Sequence, residues 1–422
     1  MTTEVGGRAV AAAAVPRWST QVLVAQVVLW LALLLPLGSH AGTAELAATA
    51  PPAPRIGVVT MQPGEIFWER FGHNALVVID PTTGRATSYN FGFFDLGEPG
   101  FVANFIRGDM GYRLVALPFH EDMAIYRQEG RGVSIQWLDL APADARTLAN
   151  ALALNARPEN ARYGYDYFLD NCSTRVRDAI DGALDGALER HMATPSEDST
   201  YRTEALRLAS PAPLMWLGFD IGLGPSADRP LSRWEEGFVP MRLADALREV
   251  RLADGRPLVS EEYEILPHRI APEPQGSTRL WKWWALAGVL IAGATVWLGR
   301  RRPRVLAALA LSGWTLAGTL GALFLFIWLG TAHRFGWANH NLLVFNPLCW
   351  LLLPGAWQLL RGRVPRHWFR RMLWVVAACP LVALLVYWMS ALPQRHLHWI
   401  VLLLPVHAAL AWTWGRRPTE RP

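Results

Sequence analysis

The C-terminal third of the chain is dominated by long apolar stretches, which constrain its structure more than any other feature. From about Leu280 onward, five stretches approach the roughly 20 residues that a helix needs to cross a bilayer. They are Trp283–Leu298, Val305–Leu329, Leu342–Leu360, Met372–Leu392 and Trp399–Trp414. Inside a bilayer, a helix satisfies its backbone hydrogen-bonding groups without water. The sequence therefore predicts an all-α transmembrane domain of about five helices over residues 280–415, with a cytoplasmic tail over residues 416–422.

Basic residues alternate with these stretches in a way that predicts their orientation. Arginine-rich loops at residues 300–304 and 361–371 follow the first and third stretches, and Arg416 and Arg417 follow the fifth. If every stretch spans, these loops share one side, which is the cytoplasm by the positive-inside rule. The net charge of +5 belongs to this pattern, so we expect a membrane partner and no nucleic acid.

The N-terminal part of the chain predicts export of the region that follows it. Residues 1–41 carry two arginines, then an apolar run and small residues, which predicts a signal peptide or a signal anchor. Residues 42–54 are rich in Ala, Pro and Thr and are predicted to form a linker. Residues 55–275 hold nearly all the acidic residues and are predicted to form one domain in the periplasm, anchored in a bacterial cytoplasmic (inner) membrane.

The pattern of the region over residues 55–275 predicts an α+β fold. Runs rich in β-branched and aromatic residues, bounded by turn signals, predict four strands. These are Ala75–Ile79, Thr87–Phe94, Tyr112–Leu117 and Val133–Leu138. A helix is predicted over Pro142–Asn155, and a second helix follows Cys172. This order favours an antiparallel sheet covered by helices.

Cys172 is the only cysteine outside the strongly apolar stretches that hold Cys349 and Cys379. After it, apolar residues recur at every fourth position and predict an amphipathic helix. They are Val176, Ile180, Leu184 and Leu188. The expected N-cap is Asp170 or Asn171, or Ser173 or Thr174 if the helix starts later. A helix start favours a thiolate, so Cys172 is a candidate nucleophile; the alternative is a small buried side chain.

His73 is the candidate base, because it opens the first predicted strand between Gly72 and Asn74. An imidazole beside a thiol removes its proton and later protonates the leaving group. The alternative is a surface or capping histidine. The competing histidines of this region are His120, His191 and His268. No Cys/His spacing typical of a metal site and no nucleotide-binding motif is found, so neither a metal nor another cofactor is predicted.

Several segments resemble one family when they are taken together. They are Phe71–Leu76, Tyr89–Asp95, Phe101–Gly108, Tyr167–Arg175 and, in the membrane part, Asn339–Leu343. They resemble the DUF4105 family, the N-terminal periplasmic domain of Lnb-type bacterial lipoprotein N-acyltransferases. The order of His before Cys, with Asn directly before Cys, is also similar to the circularly permuted NlpC/P60-like thiol enzymes. The resemblance therefore implies a papain-like α+β domain.

The resemblance implies Cys172 as the nucleophile and His73 as the base. Asn90, on the neighbouring predicted strand, is the candidate for the group that orients the imidazole, with Asp95 as the alternative. The related permuted enzymes often use a second histidine there, and this sequence has none nearby. Asn171 is a candidate oxyanion donor or simply a helix cap.

Two further groups of polar residues have open roles. Arg175 is a candidate for binding a phosphate or a carboxylate, or for an ion pair with Asp170 or Asp178. His333, His340 and Asn341 fall in the external loop between the second and third apolar stretches. They suggest a membrane-proximal site for a lipid headgroup or an acceptor, against ordinary interfacial polarity.

The function that the resemblance implies is a membrane-anchored periplasmic cysteine acyltransferase. It would move an acyl chain from a phospholipid donor, through a thioester on Cys172, to an amine, with the N-terminus of a lipoprotein as the expected acceptor. One alternative is a thiol hydrolase, a peptidase or amidase that acts on cell-wall peptide or lipid. The other is a non-catalytic envelope protein in which Cys172 is structural.

Overall fold

The computed structural model describes residues 52–276, 281–389 and 394–416, which belong to one compact unit. The predicted signal segment over residues 1–41 and most of the predicted linker lie outside the described residues. The same holds for residues 417–422 of the predicted tail and for the last residues of the fourth apolar stretch.

A seven-stranded antiparallel sheet forms the centre of the N-terminal region. Its strands are β1 (Arg55–Met61), β2 (His73–Ile79), β3 (Ala86–Phe93), β4 (Met110–Pro118), β5 (Val133–Leu138), β6 (Arg162–Tyr165) and β7 (Val259–Leu266). Their spatial order is β6-β4-β3-β2-β1-β5-β7. The four predicted strands are confirmed as β2 to β5, and the predicted α+β class is confirmed with them.

Helices cover both faces of this sheet. They are α1 (Phe101–Arg107), α2 (Phe119–Glu129), α3 (Pro142–Asn155), α4 (Cys172–Ala183), α5 (Ala187–Met192), α6 (Tyr201–Ala209), α7 (Pro213–Gly222), α8 (Arg233–Glu236) and α9 (Pro240–Glu249). Side chains alternate across a strand, so Val58 joins the core beneath α3, α4 and α9. Val59 instead joins the core beneath α2, with Met123. The central strands are therefore buried on both faces.

The helix after Cys172 is shorter than predicted. It was expected to run through Leu188, but α4 ends at Ala183, because Asp185 (φ 50°) and Gly186 (φ 76°) adopt left-handed conformations. Leu188 begins a new turn in α5 and still reaches the same core as Ile180. The four-residue spacing identified buried positions correctly, and it did not detect the break between them.

The C-terminal region consists of α10 (Trp281–Arg301), α11 (Pro303–Gly330), α12 (Leu353–Leu360), α13 (His367–Met389) and α14 (Leu397–Gly415). Within the described ranges, four of these helices are long and apolar enough to cross a membrane. A fifth crossing is formed if a bent pair of segments counts as one span. The number of about five spans stays a prediction, because these helices qualify by length and composition alone.

The third predicted span, Leu342–Leu360, is not one continuous helix, which corrects the prediction. It consists of 3₁₀ turns followed by α12, and the segments Arg334–Leu343 and Pro347–Leu360 meet at a bend of 42°. Pro347 has no N–H to donate and disfavours a helical Asn346, and the Asn346 side chain instead accepts from the N–H of Leu348 at 2.9 Å. The carbonyl of Val344, which the break leaves outside any helix, is hydrogen-bonded by the buried His407 of α14.

Two loops of the membrane helices contact the same side of the N-terminal region. After α11, the N–H of Ala332 donates to the carbonyl of Arg107 at 2.6 Å. Before α14, the N–H of Arg395 donates to Asp228 Oδ2 at 3.0 Å. The arginines at residues 300–304 lie at the opposite end of α11, where Gly362 packs beside Arg304. The basic loops therefore lie away from the N-terminal region, as the positive-inside pattern predicts.

A buried polar network connects the two regions. Arg202 Nε donates to both carboxylate oxygens of Asp228 at 2.9 Å, and neither side chain is more than 1% exposed. Arg202 also donates to the backbone carbonyls of Asp220 and Leu223 at 2.8 and 2.7 Å. The Asp220 carboxylate in turn accepts from the indole N–H of Trp399 at 2.8 Å. These bonds hold the N-terminal region at a fixed position on the membrane helices.

Arg202→Met should therefore destabilise the protein by about 3–5 kcal/mol, because it leaves a buried carboxylate without its charged partner. Thermal denaturation of the full chain in a fixed detergent measures this loss. The control is Arg256→Met, which removes an exposed ion pair with Asp139 and should change stability by less than about 1 kcal/mol. Equal shifts for both variants would show that the buried pair has no special role.

Candidate active site

The position of Cys172 follows from the capping of α4. The side chain of Asn171 accepts from the N–H of Thr174 at 2.9 Å, and Thr174 Oγ1 accepts from the N–H of Asn171 at 2.8 Å. This reciprocal capping box begins the helix at Cys172, where first-turn N–H groups have no helical acceptor. Cys172 as a whole residue is partly exposed. Of the expected N-caps, Asn171 is the one that the structure uses.

Side-chain hydrogen bonds bring the start of α4 to the start of β2. Ser173 Oγ donates to Asn74 Oδ1 at 2.8 Å, and Asn74 Nδ2 donates to Thr60 Oγ1 of β1 at 2.9 Å. All three side chains are buried. Because Ser173 and Asn74 directly follow Cys172 and His73, this contact fixes the two candidate catalytic residues against each other. The thiol and the imidazole are hydrogen-bonded.

The orientation of the His73 ring is set by Asn90. His73 Nε2 lies 3.0 Å from Asn90 Oδ1, and Asn90 Nδ2 donates to Asp122 Oδ2 at 3.0 Å. A carboxylate accepts hydrogen bonds only, so it fixes the Asn90 amide with its oxygen towards the imidazole. His73 Nε2 must then carry a proton and donate it to Asn90. The other ring nitrogen, Nδ1, is left for the thiol of Cys172.

The electrostatics of the pair favour charge separation. Burial opposes the thiolate of Cys172, but the adjacent His73, its hydrogen bond and the N–H groups of Asn74 and Ser173 lower the pKa of the thiol overall. Burial likewise opposes the imidazolium, but the charge and hydrogen bond of Cys172, together with Asn90 and Asp122, raise the pKa of His73. Both shifts favour transfer of the thiol proton to the imidazole, which is the arrangement expected of a nucleophile beside its base.

Two residues of this cluster were missed by the sequence analysis. Asp122 is buried in α2 and also accepts from Ser88 Oγ at 2.5 Å. The sequence feature that could have identified Asp122 is an acidic residue next to Met123, on the apolar side of a helix. Tyr163 lies on β6 with a buried hydroxyl that has no hydrogen-bond partner within the described part of the chain. Burial raises the pKa of Tyr163, so the hydroxyl keeps its proton.

Gly92 lies beside Cys172 and Tyr163. It has φ 95°, and a Cβ added there would lie 3.7 Å from Cys172 Cβ and 3.9 Å from Tyr163 Oη. A larger residue would be strained by this left-handed backbone and would narrow the gap between thiol and hydroxyl. The glycine therefore places no side chain of its own beside Cys172 and the Tyr163 hydroxyl.

The three supporting residues have other contacts. Asn171 donates both amide hydrogens, to the carbonyls of Tyr167 and Phe238 at 3.0 Å, so the structure assigns it the capping role and not the oxyanion role. Asp95 is exposed and accepts from the N–H of Gly97 at 2.8 Å, away from the imidazole. Arg175 forms an ion pair with Asp170 at 2.6 Å, the alternative to anion binding.

The three residues of the external loop contact protein. His333 Nε2 lies 2.9 Å from the carbonyl of Phe105, and its ring stacks on Tyr167 with centroids 6.1 Å apart. Asn341 is fully buried and donates to the carbonyl of Ile221 at 2.9 Å. The N–H of His340 donates to Gln394 Oε1 at 2.8 Å. These contacts hold the two regions together, and no headgroup could reach Asn341 without separating them.

Two family models match the chain, one in each region. Residues 44–205 match the family model described as the Lnb N-terminal periplasmic domain. Residues 281–414 match the model described as the Lnb transmembrane domain. The two ranges together cover more than half of the chain. No curated protein and no solved structure matches it.

Proposed function

Because the chain belongs to the Lnb family, with a periplasmic and a transmembrane domain in one molecule, we propose that it is a membrane-anchored cysteine acyltransferase. The acyl donor is a phospholipid, and the acceptor is an amine, most directly the N-terminus of a lipoprotein. The observation that carries the proposal is the hydrogen-bonded series from Cys172 through His73 and Asn90 to Asp122. The protein would act in the bacterial inner membrane, with the catalytic region over residues 55–275 in the periplasm.

The reaction proceeds in two steps on one sulfur atom. In the first step, the thiolate of Cys172 attacks the ester carbonyl, the C–O bond breaks, and the imidazolium of His73 gives its proton to the leaving alcohol. The products are a lysophospholipid and a thioester. In the second step, the amine attacks the thioester, and His73 takes one amine proton as the thiolate leaves. An amide is formed, and the enzyme returns to its starting state.

The developing oxyanion needs hydrogen-bond donors beside the sulfur. The N–H of Cys172 is one candidate, since the first N–H groups of a helix have no helical acceptor. The second is the hydroxyl of Tyr163, which lies across Gly92 from the thiol and stays protonated. Asn171 has no free amide hydrogen for this role.

Tyr163→Phe should therefore lower kcat by roughly 10²-fold, the usual effect of removing one oxyanion donor. The ring, and with it the stacking of Arg175 at 4.2 Å from its centroid, is retained. The alkylation rate of Cys172 should stay the same, because the hydroxyl is proposed to act on the transition state and not on the thiol. The matched control is Tyr263→Phe, on the exposed edge strand β7. A kcat unchanged from wild type would remove Tyr163 from the mechanism.

The membrane anchor fits lipid substrates. Both the donor and a diacylated acceptor leave a bilayer only at a large cost, about 0.8 kcal/mol for each CH₂ group. An enzyme fixed at the bilayer surface meets them there. The buried network around Arg202 and Asp228 would keep the thiol at a constant position relative to that surface.

The proposal is tested in proteoliposomes with the full chain and a diacylated lipopeptide. In one reaction the phospholipid acyl chains carry the isotope label, and in the other the esters of the lipopeptide carry it. Mass spectrometry then identifies N-acylated lipopeptide, the origin of its chain, and a thioester on Cys172. Labelled amide from the phospholipid supports the proposal. Labelled amide from the lipopeptide esters would identify the lipopeptide, and not the phospholipid, as the acyl donor. Free fatty acid without amide would favour the thiol hydrolase.

A further inference from the structure

The N-terminal region exposes a group of large apolar side chains close to the candidate active site. We call them the apolar rim: Phe67, Trp68, Phe93, Leu96, Val102 and Ile106. Two of them lie on α1, a helix whose seven residues, Phe101–Arg107, are mostly apolar and include none that is buried. Val102 is 66% exposed and Trp68 is 53% exposed. Apolar surface of this extent, concentrated at one place, marks a site of interaction.

The apolar rim is continuous with the membrane part of the protein. The carbonyl of Arg107, at the end of α1, accepts from the N–H of Ala332, two residues after α11 ends. The carbonyl of Phe105 contacts the His333 ring, and Gly108 packs against the backbone of Ala332 and His333. These contacts place α1 at the end of α11 that meets the N-terminal region, where the bilayer surface is expected if α11 spans the membrane.

The apolar rim is also continuous with the thiol. On α1, Phe101 stacks on Phe94, with centroids 5.7 Å apart, and Phe94 in turn stacks on Tyr112 at 5.1 Å. Tyr112 stacks on Tyr165 at 4.2 Å. Tyr165 lies beside the same Gly92 that borders Cys172. Stacked aromatic rings thus run from α1, next to the outer end of α11, to Gly92 beside Cys172, and Tyr112 is a buried member of this series.

Two arginines border the apolar rim. Arg107 is the last residue of α1 and is exposed. The guanidinium of Arg113 lies 4.8 Å above the centroid of Phe93. Apolar side chains with arginine beside them are the composition of segments that lie in a membrane interface, where the cations meet lipid phosphates.

We propose that the apolar rim lies in the outer surface of the bilayer and binds the acyl chain of a membrane lipid, so that the ester of this lipid is presented to Cys172 at the far end of the stacked rings. This proposal rests on the proposed function in one respect, the transfer of the bound acyl chain to Cys172. The bound group is an ester-linked fatty acyl chain, and its phosphate headgroup remains at Arg107 and Arg113. The rim would thereby select substrates that reside in a bilayer over soluble esters.

The first test uses the double variant Val102→Asp/Ile106→Asp in proteoliposomes. Its control is Leu154→Asp, which changes an apolar residue of comparable exposure at the end of α3. Thioester formation on Cys172 from bilayer phospholipid should fall roughly tenfold or more in the double variant, since carboxylates are excluded from the apolar part of a bilayer. Thioester formation from a soluble short-chain ester should stay unchanged. Equal losses with both esters, or no loss with either, would overturn the proposal.

The second test does not depend on activity. A nitroxide is attached to Val102→Cys in the full chain carrying Cys172→Ala and Cys379→Ala, and its collisions with dissolved oxygen and with a water-soluble nickel complex are compared. Leu154→Cys in the same background is the control. Oxygen should dominate at Val102 and nickel at Leu154, because oxygen partitions into the bilayer. A nitroxide at Val102 that is as accessible to nickel as the one at Leu154 would refute the membrane location, even if the wild type proves catalytically inactive.

Discussion

Replacing Cys172 with alanine should abolish thioester formation and lower the rate of acyl transfer by about 10⁴-fold or more. The reason is chemical, because the proposed reaction forms a covalent bond to this sulfur and no neighbouring group can take its place. The other two cysteines lie in the membrane part and are not near His73 in the sequence or among its contacts. Intact-protein mass spectrometry after incubation with labelled phospholipid measures the acyl adduct directly.

The fold should survive this change, so the loss can be assigned to chemistry. Cys172 is partly exposed, while the capping box of Asn171 and Thr174 and the bond from Ser173 to Asn74 use neighbouring side chains. Cys379→Ala is the matched control, because it removes a thiol that donates only to a carbonyl of its own helix. More than a tenth of the wild-type transfer remaining in Cys172→Ala would exclude Cys172 as the nucleophile.

The parts of the fold that local patterns encode were predicted well. Strand β5 and helix α3 have the predicted limits, Val133–Leu138 and Pro142–Asn155. In β5 the apolar run is bounded by turn residues, and α3 has Pro142 at its first position, where a missing N–H costs nothing. The start of α4 was found for the same reason, since its cap is coded within four residues, Asn171 to Thr174.

Elements that depend on distant partners were not predicted. Strand β1 is central and almost entirely buried, but seven residues beside a Pro-rich linker give little periodicity. Strand β7 has an exposed, Glu-rich sequence, and Glu262 belongs to the sheet because it pairs with Arg248 and Gln136. The break before α12 was missed because the hydropathy of a segment depends on its composition and contains no information about its backbone geometry.

The candidate site shows the same division. Cys172, His73 and Asn90 were identified from residue types at the ends of predicted elements and from the resemblance. Asp122, 32 residues from Asn90, became visible only when α2 packed against β3. The sequence analysis favoured Asn90 because it lies on the predicted neighbouring strand, with Asp95 as the alternative. The register of β2 and β3 places Asn90 opposite Ala75, next to the start of β2.

The pH dependence of Cys172 alkylation should change strongly when His73 is removed. In the wild type, the pKa of Cys172 is lowered and that of His73 is raised, and both shifts favour the pair of thiolate and imidazolium. As the pH is raised, the alkylation rate should therefore increase around the lowered pKa of the thiol. It should become constant below the ordinary cysteine pKa of about 8.5. Iodoacetamide modification of the full chain, followed from roughly pH 5 to 10, measures this profile.

In His73→Gln the midpoint of that profile should move upward. The imidazolium and its hydrogen bond are lost, whereas the burial that opposes the thiolate remains, so the pKa of Cys172 should lie above its ordinary value instead of below it. Near neutral pH the rate should fall by roughly 10²-fold, since a midpoint that lies about two pH units higher lowers the thiolate fraction by that factor. His120→Gln, which changes an exposed histidine, should leave the profile unaltered.

The Asp122→Asn variant removes the charge that supports the imidazole and retains the imidazole itself. The charge of Asp122 helps to raise the pKa of His73, so its removal should lower that pKa and weaken the ion pair. The thiol midpoint should then move upward by less than in His73→Gln, because the ring and its bond to Asn90 remain. An ordering of midpoints from wild type through Asp122→Asn to His73→Gln is the signature of a base that acts on Cys172 and is itself held by a buried carboxylate. Identical midpoints in all three proteins would mean that the thiol titrates independently of His73, and the catalytic pair would have to be abandoned.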